Sequence, residues 1–125
     1  MAKTSVSEEE IRAMEDYLRG YAFHQKMIEM DEMERSFFYE VRVSERGSAE
    51  LPLARVRLFE IRHFIMSMEN GMEKLLLYYH YVKGESVERC GDLLGVSRST
   101  VFRMKHRALA FAVLHKKRID EASVL

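Results

Sequence analysis

The sequence predicts an all-α protein, and three observations support this fold class. The 125 residues include only one proline and six glycines, so long regular elements with few turns are expected. Residues that favour helices, among them nine methionines, are frequent. Apolar residues recur at spacings of three and four, the period of a helix face, and strict alternation with polar residues is scarce.

The first predicted helix covers about residues 7–44. Ser7 and Glu10 match the capping box that starts a helix. One apolar stripe follows, at Ile11, Met14, Leu18, Tyr21 and Ile28. A second stripe begins at Met30, and the change of register near Asp31 allows a bend or break there. An unbroken helix would be about 57 Å long, so it would pack on another chain or fold back at a break.

Four shorter helices and their boundaries follow. Residues 45–52 form the best linker, and Pro52 suits the first position of the next helix. The remaining predicted helices cover about residues 53–68, 72–82, 87–94 and 97–118, followed by a frayed tail over 119–125. The segment Ala108–Leu114 is apolar nearly all round, which predicts packing against a partner chain or the folded-back N-terminal helix.

The segment from about Ser86 to Leu109 has the spacing of a helix-turn-helix. Gly91 is small where the two helices would cross, and Gly95 tolerates the positive φ of the turn. Val96 supplies an apolar plug, and Ser97 supplies the cap of the second helix. The predicted inner face consists of Val87, Cys90, Leu94, Val101, Met104, Ala108 and Leu109.

Charge is distributed unevenly although the totals balance at 20 basic and 20 acidic residues. Residues 97–118 carry seven basic and no acidic side chains. Residues 7–40 carry ten acidic and four basic ones, a net charge of −6. A basic second helix is the electrostatic pattern of DNA binding. Solvated charges on a helix face are the alternative, which the absence of acidic residues over the 22 positions 97–118 disfavours.

The stretch from Glu73 to Lys117 resembles region four of bacterial RNA polymerase sigma factors. The matching residues are Leu75, Leu76, Tyr79, Tyr81, Gly84, Ser86, Leu94, Gly95, Val96, Ser97, Thr100, Val101, His106, Arg107, Ala108 and Leu109. With the preceding helix the likeness covers about residues 53–117, and nothing resembles sigma region two. A lone domain of this kind, without a wing and with a helical arm, is similar to small regulators of phages and mobile elements such as the ArpU-type activators.

The resemblance implies that the start of the second helix enters the major groove of double-stranded DNA. The implied base-contacting residues are Arg98, Ser99, Phe102 and Arg103. The implied phosphate contacts are Ser97, Thr100, Lys105, Arg107, Lys116 and Lys117. The alternative for the charged residues among them is that they are solvated and contact no phosphate. Phe102 departs from the family pattern, in which a polar residue is usual; it would meet a thymine methyl group or a partner surface.

We therefore predict a sequence-specific DNA-binding transcription regulator. Its expected parts are an N-terminal helical arm (residues 1–49) for dimerisation or partner contact, a DNA-binding domain (residues 50–118) and the tail. Expected partners are DNA, a second copy of the chain and RNA polymerase. Methionines and aromatic residues of the arm are expected in the core or a dimer seam: Met27, Met30, Met33, Phe37, Phe38 and Tyr39. The alternative is a protein-interaction adaptor, such as an anti-activator or assembly factor, whose acidic arm binds a basic partner.

Other function classes find little support in the residues. The five histidines have no metal-ligand spacing, no catalytic arrangement can be assembled, and no cofactor is implied. Cys90 occupies a core position and is expected to be a buried thiol. No secretory signal and no apolar run of about 20 residues is present, so a cytoplasmic protein is expected.

Overall fold

A computed structural model describes residues 5–37 and 50–124, and every regular element in these ranges is helical. The predicted all-α class is confirmed. The elements are α1 (Glu8–Phe37), α2 (Glu50–Met66), α3 (Met72–Leu77), a π-helical turn (Tyr78–Val82), α4 (Val87–Leu94) and α5 (Arg98–Val124). Within the same ranges, no helix combines the length and apolar character needed to cross a bilayer.

Helix α1 starts where the sequence predicts and continues without a break. Ser7 Oγ accepts a hydrogen bond from the Glu10 backbone N–H at 3.0 Å, and the Glu10 carboxylate accepts one from the Ser7 N–H at 3.0 Å. The 30 residues of the helix pass through Asp31 unbroken. The predicted end near residue 44 lies outside the described residues, as do Phe38 and Tyr39.

The first half of α1 lies in the same apolar core as the C-terminal helices. The predicted stripe is buried, and Leu18 at its centre is fully inaccessible to solvent. Four of its residues join the common core cluster, namely Ile11, Met14, Leu18 and Tyr21. Helix α1 contacts α5, and the shared core includes Ala108, Leu109, Ala112 and Val113 of the apolar segment 108–114, whereas Phe111 is 44% exposed. A long helix therefore packs on its own domain without the break that the sequence led us to expect.

Two other boundaries differ from the predictions, for local reasons. Helix α2 begins at Glu50, so Pro52 is its third residue rather than its first. Proline is tolerated there because backbone N–H groups in the first turn of a helix have no intrahelical acceptor. Helix α5 runs to Val124, beyond the expected end near Arg118. The tail contains no helix breaker, and Lys116 Nζ lies 2.9 Å from a carboxylate oxygen of Asp120, one turn further on.

The predicted helix over residues 72–82 is α-helical only for its first six residues. Its last turn is a π-helix, in which the Lys83 N–H donates to the Tyr78 carbonyl five residues earlier at 3.0 Å. The wider turn ends at Gly84, whose φ of +79° favours glycine. This turn buries Tyr81 next to α1, a placement used in the site described below.

Candidate nucleic-acid interface

Helices α4 and α5 meet through the turn that the sequence predicts. Gly95 ends α4 with φ +75°, the left-handed conformation expected of a turn glycine. A Cβ atom added at Gly91 would lie 3.2 Å from Val101 Cγ1, so a larger residue at this close crossing would require its neighbours to shift by a few tenths of an ångström. Ser97 caps α5, since its Oγ accepts a hydrogen bond from the Thr100 N–H at 3.2 Å.

The inner face of this helix pair is buried almost as predicted. Leu94 is half-buried, and the other six residues are buried: Val87, Cys90, Val101, Met104, Ala108 and Leu109. Burial also raises the pKa of the Cys90 thiol, which disfavours its thiolate form. The expectation of a core thiol is confirmed, and the packing fixes which face of α5 points outward.

The outward face at the start of α5 holds all four predicted base-contacting residues. Arg98, Ser99, Phe102 and Arg103 are exposed and lie together because residues four apart are neighbours on a helix. The Arg98 guanidinium lies 5.3 Å from the centroid of the Phe102 ring. It also pairs with Glu88 of α4 at 3.2 Å. Phe102 is 43% exposed, so its ring is available to a ligand.

Most of the predicted phosphate contacts already have partners within the chain. Ser97 and Thr100 take part in the cap of α5. The acidic first turns of α1 lie against α5 and supply two ion pairs, Glu10–Lys117 at 2.8 Å and Glu15–Lys105 at 2.8 Å, and a Glu8–His106 hydrogen bond of 3.1 Å. Arg107 pairs with Glu73 of α3 at 3.0 Å, and Lys116 pairs with Asp120. We call Glu8, Glu10 and Glu15 the acidic cover.

Lys105 differs most from its predicted role. Its side chain is only 22% exposed and bonds to Glu15, which also accepts a 2.6 Å hydrogen bond from the Tyr81 hydroxyl. Burial acts to raise the pKa of Glu15, but the bonds from Lys105 and Tyr81 outweigh it, and the net pKa lies below its ordinary value. Lys105 therefore joins α5 to α1 and the π-helical turn rather than standing free in solvent.

This network makes part of the stability pH-dependent. Folding lowers the pKa of Glu15 below 4.5, so its stabilisation is present at neutral pH and is lost as the pH falls below that value. We expect Glu15→Gln to reduce the free energy of unfolding by about 1–3 kcal/mol at neutral pH, and by much less near pH ~3. Denaturant unfolding of both proteins at the two pH values measures this; an equal deficit at both would contradict it.

The sequence analysis missed the acidic cover, although a signal for it was present. The first turn of α1 was interpreted only as a capped helix start. Glu8 and Glu15 are seven residues apart, so they lie on the same side of α1 as the buried Ile11 between them. Acidic residues bordering a buried stripe face whatever that stripe packs against, which here is the basic helix α5.

Within residues 5–37 and 50–124, no group of three or more His, Cys, Asp or Glu side chains could hold a metal ion. The chain also has no counterpart in the comparisons with known proteins. No protein-family model matches it, and no curated protein or solved structure does so either. The case for a function therefore rests on the geometry and charge of the α4–α5 pair.

Proposed function

We propose that the protein is a sequence-specific transcription regulator that binds double-stranded DNA through a sigma region-four-like helix-turn-helix. In this proposal the first two turns of α5 enter the major groove, and α4 lies across the sugar-phosphate backbone of the DNA. Helix α1 is the described part of the predicted arm, and it packs against α2 and α5.

The observation that carries the proposal is the exposed face at the start of α5. Two arginines, a serine and an aromatic ring project from one side of a helix whose other side is buried. Arginine can donate two hydrogen bonds to the O6 and N7 atoms of guanine, and an aromatic ring can contact a thymine methyl group. The tight turn at Gly95 and the close crossing at Gly91 hold this face outward on a rigid pair of helices.

The charge of the same face supports the proposal in a limited way. Arg103 has no acidic partner among the described residues, and its guanidinium only donates to Thr100 Oγ1 at 3.4 Å. The Arg98–Glu88 pair is exposed on both sides, and exposed pairs of this kind are weak and easily exchanged. Both arginines are therefore available to a DNA backbone or base edge.

The salt dependence of binding tests whether DNA is the ligand. For a pool of random duplexes, we expect the logarithm of the affinity to fall linearly with the logarithm of the salt concentration, by about 0.9 for each phosphate contacted. Fluorescence anisotropy at several salt concentrations measures this slope. Absence of binding even at low salt would overturn the proposal.

The second candidate is a protein-interaction adaptor built on the same helices. It is favoured by one observation: Lys105, Arg107 and Lys117 are already paired with acids of the chain itself. An adaptor needs no free cations on α5, and the α4–α5 pair would then act only as a scaffold. It predicts no salt-dependent DNA affinity, so the same titration separates the two functions.

The acidic cover gives a further prediction about DNA affinity. Glu8 and Glu10 lie where they repel phosphates near α5, within the range at which charges interact in physiological salt. We expect Glu8→Gln/Glu10→Gln to strengthen DNA binding by about 2- to 30-fold, the range for removing two exposed acidic charges at about 0.2–1 kcal/mol each. Glutamine at residue 10 keeps the capping box, so the helix start is preserved.

The matched control is Glu9→Gln, which removes the same charge from the same turn. Glu9 forms no ion pair among the described residues and lies on the exposed side of α1. We expect Glu9→Gln to change DNA affinity less than Glu8→Gln alone or Glu10→Gln alone. Equal gains from all three single substitutions would show that only the total charge matters and that the cover has no special position.

A further inference from the structure

An apolar stripe without a partner among residues 5–37 and 50–124 runs along the outer face of α2. Val56 and Met66 are each 50% exposed, and Phe59 between them is 68% exposed. Large apolar side chains gathered on one exposed helix face mark an interaction surface. The opposite face of α2 is already buried in the core, through Ala54, Ile61 and Ile65.

The spacing of the stripe matches the seam of a two-stranded coiled coil. Val56, Phe59, His63 and Met66 are separated by three, four and three residues, as are the a and d positions of two successive heptads. The rings of Phe59 and His63 stack at a centroid distance of 5.7 Å with an angle of 9° between planes. The four side chains therefore form one continuous ridge.

The charges beside the ridge indicate which partner fits it. With Val56 at position a, Arg55 occupies position g and Glu60 position e. In a parallel pair, a g residue faces the e residue five positions later on the other helix. Arg55 of each copy would thus face Glu60 of the other, so the complementary partner is a second copy of this chain.

The present partners of these two residues do not prevent that exchange. Arg55 lies 3.8 Å from Glu32, and Glu60 lies 3.2 Å from Arg57. All four side chains are about half exposed, and exposed ion pairs contribute little to stability. The core face also holds α2 rigid before association, which reduces the entropy lost on binding.

Helix α1 has an exposed apolar stripe too, but it is interrupted. Phe23 and Met30 are 63% and 69% exposed, and Met27 lies between them at the same spacing. The next position of this line is Glu34. The acidic Glu34 breaks this apolar line, whereas no acidic residue interrupts the ridge of α2. The uninterrupted stripe of α2 is the better seam.

We propose that α2 forms the seam of a parallel, two-fold symmetric homodimer. Each copy contributes the ridge from Val56 to Met66, and two Arg55–Glu60 pairs flank it. The proposal does not require that the protein bind DNA. If it does bind, a dimer of this kind would present two copies of α5 to a two-fold symmetric site.

Sedimentation equilibrium of the full-length chain at micromolar concentration tests the seam. We expect a dimer for the unmodified protein, and a dissociation constant raised at least about 30-fold by Phe59→Glu, the effect of losing a central contact. Met30→Glu, an equally exposed change on α1, is expected to leave the dimer intact. Circular dichroism checks that both variants keep their helices. A monomeric unmodified protein would overturn the proposal, and so would a dimer that only Met30→Glu disrupts.

A cysteine at a seam position tests the parallel orientation. In a parallel pair residue 66 faces its own counterpart, so Met66→Cys is expected to form a covalent dimer when a mild oxidant is added. The unmodified protein is the control, because its single Cys90 is buried. A dimer of Met66→Cys in solution that does not cross-link would overturn the parallel arrangement.

Discussion

Replacing Leu18 by alanine is expected to lower the free energy of unfolding by about 2–5 kcal/mol. Leu18 is fully buried at the middle of the α1 stripe, in contact with the core that holds α4 and α5 in place. The deletion would leave a cavity in that shared core, and the neighbouring side chains could close it only in part. Denaturant unfolding at one fixed protein concentration measures the loss, because a dimer would otherwise make stability depend on concentration.

Leu93→Ala provides the matched control for this change. It removes the same atoms from α4, but Leu93 is 42% exposed and outside the core cluster. We expect a change of at most about 0.5 kcal/mol, as for other surface positions. A loss of at most about 0.5 kcal/mol from Leu18→Ala as well would mean that α1 is not part of the folding unit and behaves as a detached arm.

The second large effect concerns sequence preference. We expect Arg98→Ala/Arg103→Ala to lose about 1–3 kcal/mol of discrimination for each arginine that contacts a guanine. The variant would keep weak, salt-dependent binding to any duplex, since contacts to phosphates do not depend on sequence. Selection from a random-duplex pool, repeated with the variant, compares the preferred sequences directly.

Arg118→Ala is the control for charge in this experiment. It removes one positive charge from the same helix, 15 residues beyond Arg103 or about 22 Å along the axis. We expect it to weaken binding to all duplexes alike and to leave the selected sequence unchanged. A shift in preference equal to that of the double variant would remove Arg98 and Arg103 from the base-contacting set.

Local rules were sufficient to predict the α4–α5 pair. A helix-turn-helix needs three features that can be recognised from neighbouring residues alone. They are a capping residue, a small residue at the helix crossing and a glycine with positive φ, which here are Ser97, Gly91 and Gly95. The buried stripe of α1 was predictable for the same reason. The exposure of the four residues at the start of α5 then followed from the helical period.

What the sequence did not reveal depends on contacts between distant parts of the chain. Lys105 looks like a solvent-facing cation in a basic helix, and only the docking of α1 brings Glu15 to it across 90 positions of sequence. The π-helical turn is also a tertiary feature, since it places the Tyr81 hydroxyl on that same carboxylate. Charge counted along the chain therefore overstated the positive surface of α5.

The most direct test of the account is a coupling measurement between Arg103 and the edge of a guanine in the major groove. A duplex selected by the unmodified protein is prepared with 7-deazaguanine, which lacks the N7 acceptor, at each guanine in turn. At one position we expect a loss of about 1–3 kcal/mol in affinity for the unmodified protein and no further loss for Arg103→Ala. Losses of equal size in both proteins at every position would contradict the contact of Arg103 with a guanine in the major groove.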